Sequence, residues 1–436
     1  MRTQLLILLL SLLTLLGVGC SGTAGDPTAA PYLIPTWDFA RRTAPAATPA
    51  ITANAPAPAN DPFILAYIRQ GNLFVTNLAR HDGTLLAGSP RQLTASGDVT
   101  YAAISPDGRQ LLYTRAPQPG NNELYVSTLD GSSATLLVSA RDLPPLAGIK
   151  GQELARVLQQ VAWLPDARTV AFNTITVPVS GAAILPSPAG DLWLVAPGQR
   201  PQERFPPGTG ARYFAISRHN QVLMAAPGEI VRADLDEGLP QTVVAFEPGD
   251  EAIVPRPQWT AAGEEAYVAI PVAAATALWR IPRTGPAQHL GDIIGHSPSQ
   301  PLQWTRDGQT LAYGAIMDAG PHALLLAAAD GSALRPYTTA PQLDIFVWSP
   351  DARHFLYGGA GSYAVGTRGA APVSLTLPSQ WQVWDVHWLT ETDFIVGASG
   401  FGAWEVVAGH VDGTVTPLLS FNHEITHFDV WPSAAR

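Results

Sequence analysis

Sulfur and charge are both scarce in this 436-residue chain. Cys20 is its one cysteine, so an internal disulfide framework is excluded and stability must come from packing. Charged residues make up 14% of the sequence, with 25 lysines and arginines against 35 aspartates and glutamates and a formal net charge of −10. A chain without a basic excess offers no electrostatic footprint for nucleic acid. No Gly-x-Ser-x-Gly nucleophile elbow occurs, the Asp-rich spacing of an EF-hand loop is missing, and the ten histidines are scattered without metal-ligand spacing. Neither a metal nor a cofactor is expected.

Turns are what the chain has in quantity: it holds 39 glycines and 40 prolines. The clearest unit runs Ile104-Ser105-Pro106-Asp107-Gly108-Arg109-Gln110-Leu111-Leu112-Tyr113, then Glu123-Leu124-Tyr125-Val126 and Asp130-Gly131. Proline presets φ, aspartate can bond the backbone two residues on, and glycine tolerates positive φ, so Ser-Pro-Asp-Gly reads as a tight turn. The flanking runs rich in Leu, Tyr and Val read as strands. Aligned on the apolar residue before the turn, the unit recurs at Ile104, Trp163, Ile216, Trp259, Trp304, Trp348, Trp388 and Trp431. Four strands recurring every ~40 to 45 residues predict propeller blades. Periodic tryptophans require only inter-sheet packing, so the six anchor tryptophans are expected in the core.

The first blade is incomplete where it begins. Ile64 to Ile68, Asn72 to Leu78 and Arg91 to Thr94 read as strands with no innermost strand before them, while Thr426 to Pro432 carries the innermost pattern with no blade after it. The two ends are expected to complete one another. The expected fold is therefore all-β: a β-propeller of eight four-stranded blades over residues 62–436, its first blade closed by the C-terminal strand.

Residues 1–20 stand apart, with Arg2, an apolar run from Leu5 to Leu16, and Gly19 before Cys20. They resemble a bacterial lipoprotein signal, which implies lipid on Cys20 after cleavage and a protein anchored outside the cytoplasmic membrane. A conventionally cleaved signal peptide and a short uncleaved anchor are the alternatives. Residues 21–61, rich in Ala, Pro and Thr, read as a disordered tether, interrupted by the aromatic stretch from Tyr32 to Phe39.

The repeats at Ser105 to Gly131 and Trp348 to Tyr357 resemble WD40-like propeller repeats of the TolB type. That resemblance implies either a secreted or periplasmic binding scaffold or a propeller domain of the kind attached to peptidases. Eight units exceed the blades of TolB, so a role in the Tol system does not carry over.

In a four-stranded antiparallel blade, the turns after strands one and three share one face, and the strand two-to-three loops and blade-to-blade links share the other. The long segments 115–122, 139–160, 174–190, 315–321 and 379–384 fall on the second face, where binding loops are expected. Within them, 151–160 has helical spacing of apolar residues and predicts a helix capping the ring. Candidate contacts are Arg115, Asn121, Asn122, Lys150, Arg156, Asp318, His322, Trp381 and Trp384, a mixture that suits peptide or glycan recognition. For each, a solvated loop residue or an aromatic packed between blades is the plainer reading.

His423-Glu424-Ile425-Thr426-His427 matches the zinc-protease pattern H-E-x-x-H, which needs both histidines on one helix face. The β-branched pair and the strand that follows predict an extended segment instead. Residues four apart in a strand lie roughly 13 Å apart, too far to share a zinc with bonds of about 2 Å. No catalytic residue is assigned. The function expected is a membrane-tethered, extracytoplasmic binding or assembly scaffold, a monomer, whose partner is an envelope protein, peptide or glycan. The alternative is a lyase or hydrolase, whose signature would be carboxylates or histidines converging at the central channel.

Overall fold

The computed structural model describes residues 63–431 except 119, 148–152, 179–186, 210, 237, 248–253, 273–274, 297–301, 317–321, 341 and 379. Cys20, the signal and the tether lie outside the described residues. The regular secondary structure among the described residues is strand, apart from one 3-10 turn, Ala140–Asp142. The strands build eight antiparallel sheets, which we number as blades 1 to 8 from the N-terminal end. Inner strands are Ile425–Trp431 for blade 1, then Val99–Ile104, Glu153–Trp163, Tyr213–Ile216, Gln258–Trp259, Leu302–Trp304, Ile345–Trp348 and Gln382–Trp388 for blades 2 to 8.

Blade 1 is the composite one. Ile425–Trp431 pairs with Phe63–Arg69, setting Val430 opposite Leu65 and Phe428 opposite Tyr67. Asn72–His81 and Thr84–Ala87 complete it, and the short strand Arg91–Gln92 also pairs with Asn72–His81. The last strand of the chain therefore closes the first blade.

Because each sheet packs on a neighbour at both faces, its central strands are apolar on both faces rather than alternating. Val222 to Ala226 are all buried in the second strand of blade 4. The buried core separates into eight clusters among the described residues, each lying between two successive blades. The cluster of Leu65, Tyr67, Phe428 and Val430 with Ile395, Val406 and Leu419 joins blade 8 to blade 1 and closes the ring. Fully buried Phe394 and Phe355 lie directly over glycines. A Cβ on Gly409 or Gly366 would stand 2.1 Å from the ring.

Beside the axis, the inner strands are stitched by a repeated pair of side-chain bonds. The indole Nε1 of Trp163, Trp259, Trp348 and Trp388 donates to the carbonyl of Ala103, Ala215, Gln303 and Val347, each on the inner strand of the preceding blade. In the other direction, the residue before an anchor accepts from the next blade's anchor N–H. Gln258 Oε1 takes the amide of Trp304 at 3.3 Å, and Gln303 Oε1 that of Trp348 at 3.2 Å. At the closing blade the same position holds a carboxylate: Asp429 Oδ2 accepts from Ile104 N at 2.7 Å.

Two expectations need correction. Residues 153–163 form the inner strand of blade 3, not a capping helix. A bulge between Leu158 and Gln160 breaks the strand's alternation, which leaves Leu154, Val157, Leu158 and Val161 at the spacing of a helical face. Nor are all the anchor tryptophans core: Trp304, Trp348 and Trp388 are buried, Trp163 and Trp259 are half-buried against their clusters, and Trp431 leaves the anchor position altogether. Buried Val430 faces the blade 8 core in its place, while Trp431, one residue on and hence on the opposite face, is half-buried and donates to Pro106 O at 3.0 Å. It lies over Gly108, where a Cβ would come within 2.3 Å of the indole and φ is +69°.

Candidate functional site beside the ring axis

The seven sequence candidates that are described do not form one surface. Lys150 and Asp318 lie outside the described residues. Arg115 and Asn121 are not in a loop but on strands, Gln110–Gln118 and Asn121–Thr128, which form an extended hairpin together with Asn122. Arg115 holds Asp98 by two bonds of 2.9 Å, from Nε and Nη2, with its guanidinium over the Tyr125 ring. Burial raises the Asp98 carboxyl, but the hydrogen bonds from Arg115 and Ser96 outweigh it and hold the group below the ordinary carboxylate range. His322 begins the third strand of blade 6 and is half-buried.

Arg156 is buried, its side chain 5% exposed. It pairs with Asp191 at 3.3 Å and Glu203 at 3.0 Å and lies over Trp193. Asp191, fully buried, also accepts from Thr174 N, Thr174 Oγ1 and Trp193 Nε1. This network fastens blade 3 internally. Trp381 is buried, and Trp384 half-buried, against Gly400 and Gly397 in the hydrophobic packing of blade 8.

Where described, the extended loops anticipated on one face are in large part strand, and in blades 1, 7 and 8 the strand two-to-three connection is a two-residue turn. Gln70-Gly71, Ala360-Gly361 and Phe401-Gly402 all have positive φ at both positions, the mirror-image turn that matches strand twist.

Ionisable groups gather elsewhere, where the inner strands of blades 8, 1 and 2 meet. Along Gln382–Trp388, Asp385 and His387 alternate with buried Val386 and Trp388. They thus face forward to blade 1, where the His387 ring meets Phe428 at 4.9 Å. His387 Nε2 lies 3.2 Å from Asp385 Oδ2, with side chains 24% and 33% exposed. Burial raises the Asp385 carboxyl, but the hydrogen bond and charge of His387, the charge of His427 and the amide of Val386 together hold it low.

One strand on, the His427 ring lies tilted against Tyr101 at 4.8 Å, and its Nε2 lies 2.6 Å from Ala102 O. A carbonyl only accepts, so that nitrogen carries the proton and Nδ1 is the basic one. Burial lowers the pKa of His427, against the opposing pull of the Ala102 bond, Asp429 and Asp385. Asp385, His387, His427 and Tyr101 thus make a partly exposed acid–base arc. Sequence reasoning named none of them as site residues. Asp385-x-His387 in an inner strand was the available signal, and it was masked by neighbouring Trp384 and Trp388. The H-E-x-x-H match supplies only His427 to this arc, from within the strand Ile425–Trp431. Among the described residues no three His, Cys, Asp or Glu side chains are placed to hold a metal ion.

No family model matches the sequence, and no curated protein matches it. Among solved structures, a eukaryotic initiation factor is 12% identical with a TM-score of 0.52, over 84% of this chain and 98% of that one. TolB from Acinetobacter baumannii is 11% identical with a TM-score of 0.37, over 84% of this chain and 66% of that one. A prolyl endopeptidase is 11% identical with a TM-score of 0.46, over 80% of this chain and 55% of that one. At such identities the likeness concerns the fold alone. The class is an all-β, eight-bladed propeller, closed through its first blade.

Proposed function

We propose that this protein is a binding scaffold of the cell envelope, tethered by lipid on Cys20, which holds a protein, peptide or glycan partner at the axial arc of blades 8, 1 and 2. One observation carries the reading: the paired Asp385 and His387 side chains are 33% and 24% exposed beside the axis. The lipoprotein-like signal and the TolB-type repeats of the sequence support the tether and the envelope setting. Affinity capture from solubilised envelope, using the whole protein and an Asp385→Asn/His387→Gln variant, tests it. Partners lost in the variant support the scaffold; partners held equally by both refute the site.

The enzyme reading has one observation in its favour, the same Asp385–His387 contact next to a histidine whose Nδ1 is basic. A carboxylate that orients an imidazole is an acid–base arrangement. Hydrolysis or elimination of an envelope glycan by wild-type protein, abolished by His387→Gln, would replace the scaffold reading.

A further inference from the structure

At the junction of blades 8 and 1 lies an arginine, Arg69, with no carboxylate partner among the described residues. Arg69 ends the second strand of blade 1, and its guanidinium carbon stands 4.7 Å from the Phe74 ring centroid and 4.5 Å from that of Phe421. Tyr67 lies stacked on Phe74 and 5.7 Å from Phe421. Phe421 pairs in register with Trp404, which leads to Trp384 at 6.4 Å. Two N–H groups on this aromatic shelf, Arg69 Nε and Trp384 Nε1, are buried with no acceptor.

Arginines over rings here are met in two ways: Arg204, over Phe205, by the carbonyls of Asp234 and Gly238, and two others by carboxylates. Arg115 lies over Tyr125 and grips Asp98; Arg156 lies over Trp193 and reaches Asp191. Arg69 has the rings and no carboxylate among the described residues. A partly desolvated cation without a partner is unfavourable. Rings favour the charge but leave the in-plane N–H donors unmet. Those donors form a planar fork whose geometry matches a carboxylate.

We propose that Arg69 anchors a carboxylate-binding site on this shelf, for a carboxylate carried beside an aromatic or aliphatic group, as at the C-terminus of a peptide ending in such a residue. The carboxylate completes the triad that Asp98 and Asp191 complete elsewhere, and its apolar neighbour covers Phe421 and Trp404. The inference rests on Arg69 and its rings, not on Asp385, His387 or His427.

Calorimetric titration of the whole protein with N-acetyl-L-phenylalanine, its uncharged amide and inorganic phosphate tests the inference. The acid is expected to bind at least 10-fold more tightly than the amide and than phosphate. Arg69→Met, which keeps an apolar stem over the rings, is expected to lower affinity for the acid at least 10-fold. Arg69→Lys, which keeps the charge without the fork, is expected to lower it at least threefold and decides the matter if the methionine variant does not fold. Equal binding of acid and amide, phosphate binding as tightly as the acid, no binding of the acid, or unchanged affinity in the variants would overturn the assignment.

Discussion

Replacing Asp429 by alanine removes one of the bonds that tie the composite blade to blade 2. Its Oδ2 accepts from Ile104 N at 2.7 Å, and its side chain is buried at 6% exposure. Removing a charged acceptor and leaving a buried amide unmet costs about 1.5–3 kcal/mol. With an unfolding entropy near 2.1 cal/mol/K per residue, a ring of about 370 residues loses ~1.3 °C of melting temperature per kcal/mol, so a fall of roughly 2–4 °C is expected. Gln303→Ala removes the equivalent neutral acceptor from Trp348 N at 3.2 Å and should cost about 1 kcal/mol, ~1 °C. Calorimetry reads the melting temperatures, and amide exchange reads the Ile104 N–H directly. A fall for Asp429→Ala no larger than that for Gln303→Ala, with Ile104 still protected, would refute the argument that the closing blade carries the stronger stitch.

Other perturbations separate packing from electrostatics. Gly366→Ala drives a Cβ to within 2.1 Å of the fully buried Phe355 ring, so overpacking should destabilise by about 1–3 kcal/mol, read from the denaturation midpoint. Arg156→Ala leaves Asp191 without its cation partner and should cost about 3–5 kcal/mol, well beyond the effect of replacing an exposed arginine. The pKa of His427 is lower in the folded protein than in the unfolded chain because of burial. Protonation therefore favours unfolding, and the stability held above about pH 6.5 is lost as pH falls below it, toward the folded pKa. Asp385, also depressed, adds to the loss only below about pH 4. Melting temperature should thus decline between pH 7 and 5.5 in the wild type and less so in His427→Gln.

Blade count and ring closure were legible because both rest on local chemistry repeated at a fixed interval. Ser-Pro-Asp-Gly sets its turn without help from distant residues: the Ser105 hydroxyl takes the Gln110 amide and donates to Asp107. Longer-range effects were not legible. A bulge in a buried strand imitates helical spacing at 154–161, and a one-residue offset turns Trp431 toward Gly108 although it aligns with anchors such as Trp348 and Trp388. The axial arc was hidden for a related reason. Asp385, His387 and His427 meet across 40 residues because strands 382–388 and 425–431 are successive inner strands, and Tyr101 joins them only because the ring closes. Trp381 and Trp384, read as loop aromatics, proved to begin that same inner strand and its packing.

Ring closure by the last strand is the claim on which both proposed sites depend. It is tested most directly by amide exchange in the whole protein and in a chain ending after Glu424. The account predicts that the amides of Phe63–Arg69 facing the last strand are protected in the whole protein and exchange rapidly in the shortened one, together with Ile104. Unchanged protection of those amides after truncation would contradict it.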